Sequence, residues 1–159
     1  MTLIQNQIEI NTPVERVFEY YTNPDNIKES WPRDIVKESE NVSGQKSEEG
    51  SEMKVTGEYM GKKDEMILEV VQKEQNKRLV TKQTKKGPFQ IWESIQEFQS
   101  SGNGNTTTST TTLVNHTINY ELPTTGKIAN VLTGSQAENK IRQGIEQAAQ
   151  TVKQRLESA

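Results

Sequence analysis

The chain carries a single histidine, His116, and no cysteine, so the acid–base and metal chemistry open to it is narrowly bounded. His116 lies in the run LVNHTINYEL, where Val114, Ile118, Tyr120 and Leu122 share its parity and Leu113, Asn115, Thr117, Asn119 and Glu121 take the other. Strand alternation therefore turns His116 inward with the apolar set. An imidazole there, titrating near neutrality, suits general acid or base catalysis or a hydrogen bond to a ligand. The commoner fate of a lone histidine is structural, satisfied by a neighbouring hydroxyl or carbonyl. Tyr120 on the same face and Tyr59 across the sheet each offer an aromatic body with a polar tip, for which ordinary core packing is an equal alternative. Glu93 stands between Ile91 and Ile95. Were that face inward, burial would raise its pKa and make it a proton carrier; the plainer reading is a solvated carboxylate paired with a lysine of the next strand. No catalytic constellation is visible, and His116 and Tyr120 are the residues from which one would have to be built.

Several chemistries fall away. One histidine with scattered carboxylates makes a poor zinc or iron site, and without cysteine there are no thiolate ligands, disulfides or cysteine nucleophiles. No phosphate-cradling glycine motif is present: Gly102 and Gly104 precede a strand, not a helix. No serine sits in a nucleophile elbow. No metal and no cofactor is expected. The balance of 19 basic against 22 acidic residues and a pI near 5.4 disfavours a broad grip on nucleic acid. The basic pairs Lys62-Lys63 and Lys85-Lys86 abut Gly61 and Gly87 and read as solvated turn charges. No run reaches the ~18 apolar residues of a membrane span, and the N-terminus lacks the pattern of a secretory signal. The sequons at Asn41, Asn105 and Asn115 then have no use and are chance matches in a Thr-rich chain.

The elements that would position these residues are legible from periodicity. Ile4, Ile8 and Ile10 alternate along a first strand. Thr12-Pro13-Val14-Glu15 has the form of a capping box with Pro at the first helical position, and Val14, Val17, Phe18 and Tyr21 follow on one helical face. Asn23-Pro24 ends that helix and starts a second, which Trp31-Pro32 closes. From Asp34 to Tyr120 the chain reads as about six strands broken by turns. Met53, Val55 and Tyr59 share one face, as do Met66, Leu68 and Val70. In FQIWESIQEF, Phe89, Ile91 and Ile95 fall on one side and Trp92 and Phe98 on the other, which leaves the inward face open. The Thr-rich run before Leu113 suits a strand through its β-branching. Ile128, Val131, Leu132, Ile141, Ile145, Ala148, Ala149, Val152 and Leu156 recur at helical spacing, interrupted around Gly134-Ser135. Without βαβ alternation the class is α+β with an antiparallel sheet, and 159 residues fit one domain over 1–159.

The opening IEINTPVERVFEYYTNPDNIKESW and the closing NYELPTTGKIANVL and VKQRLE resemble the SRPBCC (START-like) superfamily, in its polyketide cyclase/dehydrase-like branch. The resemblance covers about half the chain and implies a helix-grip fold. In that fold a curved antiparallel sheet of six to seven strands wraps a long C-terminal helix, with two short helices after the first strand. It further implies an apolar cavity between helix and sheet. Combined with parity, this assigns to the cavity Tyr21, Ile27 and Trp31 from the short helices, Trp31 acting as gate or plug. Met53, Val55, Tyr59, Met66, Leu68, Leu79, Ile91 and Ile95 come from the middle strands. His116, Ile118 and Tyr120 come from the last strand, and Ile128, Leu132, Ile141 and Ile145 from the C-terminal helix.

The leading expectation is a non-catalytic, cytoplasmic binder or transporter of a small hydrophobic molecule, lipid-, sterol- or polyketide-like, with no nucleic-acid partner and no stable membrane insertion. The alternatives are a cyclase or dehydratase using the same cavity, with His116 as base and a tyrosine as acid, and a co-chaperone-like module docking a protein partner. Oligomeric state is not encoded in any feature of the sequence.

Overall fold

The computed structural model describes residues 1–42, 48–59, 62–84, 87–101, 110–123 and 134–158. Its elements run β1 (Thr2–Ile10), α1 (Val14–Thr22), α2 (Asp25–Ser30), β2 (Val36–Asn41), β3 (Glu52–Tyr59), β4 (Lys62–Glu74), β5 (Arg78–Gln83), β6 (Ile91–Ser101), β7 (Thr111–Glu121) and α3 (Gly134–Glu157). The seven strands form one antiparallel sheet in the order β1-β7-β6-β5-β4-β3-β2. Consecutive strands from β2 to β7 are neighbours, and β1 is added beside β7. Register shifts between Val36 and Glu38 and between Val70 and Gln72 bend the sheet, as bulges do. The result is the curved sheet and long terminal helix of the helix-grip arrangement. No helix among the described residues is long and apolar enough to cross a membrane.

The inward face of β1 carries Ile4, Ile8 and Ile10, all buried, and β7 buries Thr112, Val114, His116, Ile118 and Tyr120 in strict alternation. Opposite them α3 buries Ala137, Ile141, Ile145, Ala148, Ala149, Val152 and Leu156, a stripe at spacings of three and four. Polar ties fix its C-terminal end. The Lys153 ammonium donates to the Glu9 carbonyl at 2.7 Å, and the Glu157 carboxylate accepts from the Asn11 backbone N–H at 2.8 Å and from Lys153 at 2.7 Å. Those contacts hold the Glu157 carboxyl below the usual carboxylate range, the Asn11 bond first among them.

The helix starts differ from the capping box the sequence suggests. Pro13 itself is the N-cap of α1 and no side chain caps that helix. Thr12 is buried at the end of the β1–β7 pair, its backbone carbonyl accepting from the Thr112 hydroxyl at 2.8 Å. At α2 the expected turn chemistry is present: the Asn23 carboxamide oxygen accepts the Asp25 N–H at 3.1 Å. α1 is pinned to the sheet by Phe18 and Tyr21, whose rings meet Phe98 of β6 edge-on at 5.1 and 5.4 Å.

Two glycines permit close approaches. A Cβ at Gly57 on β3 would overlap the Ile35 carbonyl oxygen, and one at Gly144 on α3 would lie 2.7 Å from the Trp31 ring. The segment after α2 therefore crosses tightly over β3, and Trp31 lies directly against α3.

Candidate functional site

Between the concave sheet face, α3 and the two short helices lies a cavity of about 120 Å³. The sheet supplies most of its wall: Met53 and Val55 from β3, Met66 and Leu68 from β4, Leu79 and Thr81 from β5, Trp92, Ser94 and Gln96 from β6, Val114, His116 and Ile118 from β7, and Asn6 and Ile8 from β1. Tyr21, Asn26, Ile27, Ser30 and Trp31 close it from the helical side, and Ile141, Ala148, Ala149 and Val152 of α3 cover it. No Asp, Glu, Lys or Arg is among its described lining residues.

His116 is the polar centre of the sheet wall. It is 8% exposed, and its Nε2 lies 2.7 Å from the Ser94 hydroxyl, two residues along the neighbouring strand from its direct partner Gln96. Burial lowers its pKa to about 4, because a protonated imidazole loses its hydration there without a carboxylate to compensate. At neutral pH the ring is uncharged and serves as hydrogen-bond donor or acceptor. The Tyr21 phenol is pushed up, first by burial and then by the adjacent Tyr20, so it too stays neutral. Among the described residues no group of three or more His, Asp or Glu gathers as a metal site.

The assigned residues divide into three groups. Tyr21, Ile27, Trp31, Met53, Val55, Met66, Leu68, Leu79, His116, Ile118 and Ile141 all stand on the cavity wall. Ile91, Ile95, Tyr120 and Ile145 do not. Ile91 is 37% exposed and Ile95 shares its outward parity. The inward face of β6 is the one carrying Trp92, Ser94, Gln96 and Phe98. Phe89 lies inward too, but it precedes the strand, where the Gln83 carboxamide donates to its carbonyl at 2.7 Å. Alternation therefore does not carry from Phe89 to Ile91. Glu93 consequently faces out, paired with Lys82 at 3.2 Å and accepting from the Asn119 side chain. Tyr120 is inward but 1% exposed. It packs against Phe89 at 5.9 Å and Trp92 at 6.3 Å rather than on the cavity wall. Ile145 is likewise fully packed in the core. The Tyr59 side chain, Ile128, Leu132 and Lys85-Lys86 lie outside the described residues.

Sequence reasoning passed over Asn6, Thr81, Ser94 and Gln96. For Asn6 a signal existed: it sits between Ile4 and Ile8 at inward parity, an amide in a row of isoleucines. Ser94 and Gln96 follow once Trp92 and Phe98 are placed inward.

The family described as polyketide cyclase / dehydrase and lipid transport matches residues 1–157. A comparison with curated protein sequences gives no significant match. Among solved structures, a protein from Thermus thermophilus is similar over 99% of this chain and 98% of its own, at 19% identity and a TM-score of 0.76. A START superfamily protein from Mycobacterium smegmatis is similar over 98% and 97%, at 15% identity and a TM-score of 0.74. An aromatase/cyclase from Streptomyces sp. R1128 is similar over 98% and 93%, at 13% identity and a TM-score of 0.71. At these identities the likeness is one of fold.

Proposed function

The chain belongs to the polyketide cyclase/dehydrase and lipid transport family, and we propose that within it this protein is a non-catalytic binder of a small hydrophobic ligand. The observation that carries the reading is the partly open cavity with a largely apolar, uncharged described wall. Affinity arises from desolvation: at ~25 cal/mol per Å², burying ~200 Å² of apolar ligand surface contributes ~5 kcal/mol before ordering costs. The polar side chains on the wall set orientation. The cysteine-free sequence suits a reducing cytoplasm, the compartment this reading assumes.

A second reading draws on the likeness to an aromatase/cyclase and on the Ser94–His116 contact. Such a reaction would use His116 as base. With burial lowering its pKa to about 4, His116 is a weak base and is not in the imidazolium form that a general acid needs at neutral pH. The site favours binding over turnover.

Native mass spectrometry of freshly purified protein, followed by denaturing mass analysis of what it releases, tests the binding reading. A discrete non-covalent adduct is the expected result. A clean mass that no added apolar molecule shifts would count against an open cavity and for a filled core.

A further inference from the structure

Three polar side chains stand abreast in the sheet wall of the cavity. Asn6 of β1 and Gln96 of β6 are the direct cross-strand partners of His116 on either side, and all three line the cavity. Directly opposed residues hold their Cβ atoms about 5 Å apart, so the row spans three adjacent strands. Neither the Asn6 nor the Gln96 carboxamide makes a side-chain hydrogen bond to another described residue, whereas Gln7, which points the other way from β1, bonds Asn115 at 2.8 Å. His116 commits Nε2 to Ser94 and leaves Nδ1 as its remaining polar atom. Both amides are half-buried in the wall, and their donors and acceptors, uncommitted to another described side chain, are available to a head group that enters the cavity.

We propose that the ligand is a neutral molecule about the size of one substituted aromatic ring, whose hydrogen-bonding head docks on the Asn6–His116–Gln96 row. The proposal rests on the cavity-binding reading above and narrows it. Size follows from volume: about 120 Å³ is close to the cavity of ~150 Å³ that accepts benzene. A sterol or a long acyl chain needs several times that space. Charge follows from the wall. With no described basic or acidic lining residue, a carboxylate or ammonium head would be desolvated without an opposite charge. Two carboxamides and a neutral imidazole can donate to a carbonyl head, and can both donate to and accept from a carboxamide or hydroxyl head. The apolar body then lies against Met66, Leu68 and Ile118.

The test is a calorimetric and NMR titration of the intact chain with benzamide, benzyl alcohol, sodium benzoate, hexadecan-1-ol and xenon at pH 7. The expected result is saturable binding of benzamide or benzyl alcohol and of xenon, benzoate weaker than benzamide by at least about tenfold, and no stoichiometric binding of hexadecanol. Gln96→Met and Asn6→Leu should each weaken benzamide by about tenfold or more while xenon still enters, the loss expected when a head group loses its partner. Benzoate binding as well as benzamide overturns the claim of neutrality. Hexadecanol binding while the single-ring probes do not overturns the size claim yet leaves the cavity-binding reading standing. Exclusion of every probe, xenon included, overturns that reading as well. The wild-type titrations decide size and charge whether or not either variant folds.

Discussion

His116 illustrates how a single buried polar residue ties the site to stability. Its folded-state pKa is about 4 against an ordinary 6.5, so between those values the unfolded chain binds a proton that the folded chain refuses. Unfolding is then favoured as pH falls, and stability rises with pH across that window and is fully present above about pH 6.5. A shift of this size corresponds to about 3 kcal/mol. Urea unfolding at pH 7 and pH 5 should show His116→Phe losing much less stability on acidification than the wild type; parallel losses would show that the imidazole is well hydrated. Ser94 supplies the other half of the pair. Ser94→Ala strands Nε2 in the wall and should cost about 1–3 kcal/mol, read by the same urea midpoints, whereas no measurable change would mean that water replaces the hydroxyl. Residue type and parity were enough to turn His116 inward from sequence. Its Ser94 partner was not readable there, because that contact runs diagonally between strands whose mutual register no local pattern reveals.

At the level of elements, order and parity were legible wherever one face was cleanly apolar: Met53 with Val55, Met66 with Leu68, and the alternation along β7 all lie as the pattern required. β6 was not legible, because Ile91 and Ile95 on one side match Trp92 and Phe98 on the other in apolarity. What decides the matter is tertiary, the meeting of Phe98 with Phe18 and Tyr21. Tight crossings were invisible as well, since a glycine in sequence does not announce what approaches it. Gly144 sits within a helix, where alanine is ordinarily better by about 1 kcal/mol. Here a Cβ would stand 2.7 Å from the Trp31 ring and 2.9 Å from Ile35, and overpacking of that kind costs about 1–3 kcal/mol. The clash should win: Gly144→Ala is expected to lower the melting temperature and shift the tryptophan emission as Trp31 moves, and a stabilised variant with unchanged emission would refute the close approach. Gly57 offers no such relief, because its neighbour is the Ile35 backbone carbonyl. Gly57→Ala should be more damaging than Gly144→Ala in the same melting experiment.

For the molecule as a whole, the cavity is a deliberate absence of packing. Side chains lining an empty space forgo the dispersion contacts that a close-packed core provides, so the fold is less stable empty than it is filled. A ligand at a hundred times its dissociation constant would return about 2.7 kcal/mol. A larger side chain should do the same from within, and α3 offers an internal comparison. Ala148 lines the cavity and Ala137 does not, though both are buried. At Ala148 a leucine grows into open space and gains up to about 0.8 kcal/mol per added carbon. At Ala137 it meets packed atoms and costs about 1–3 kcal/mol. Ala148→Leu should therefore hold or raise the urea midpoint while abolishing xenon and benzyl alcohol binding, and Ala137→Leu should lower the midpoint while the folded fraction still binds both. The opposite signs matter more than either magnitude, because overpacking alone would lower both midpoints and a surface-bound probe would be indifferent to both substitutions. Only a void beneath Ala148 makes stability and binding move in opposite directions at one position and not at the other.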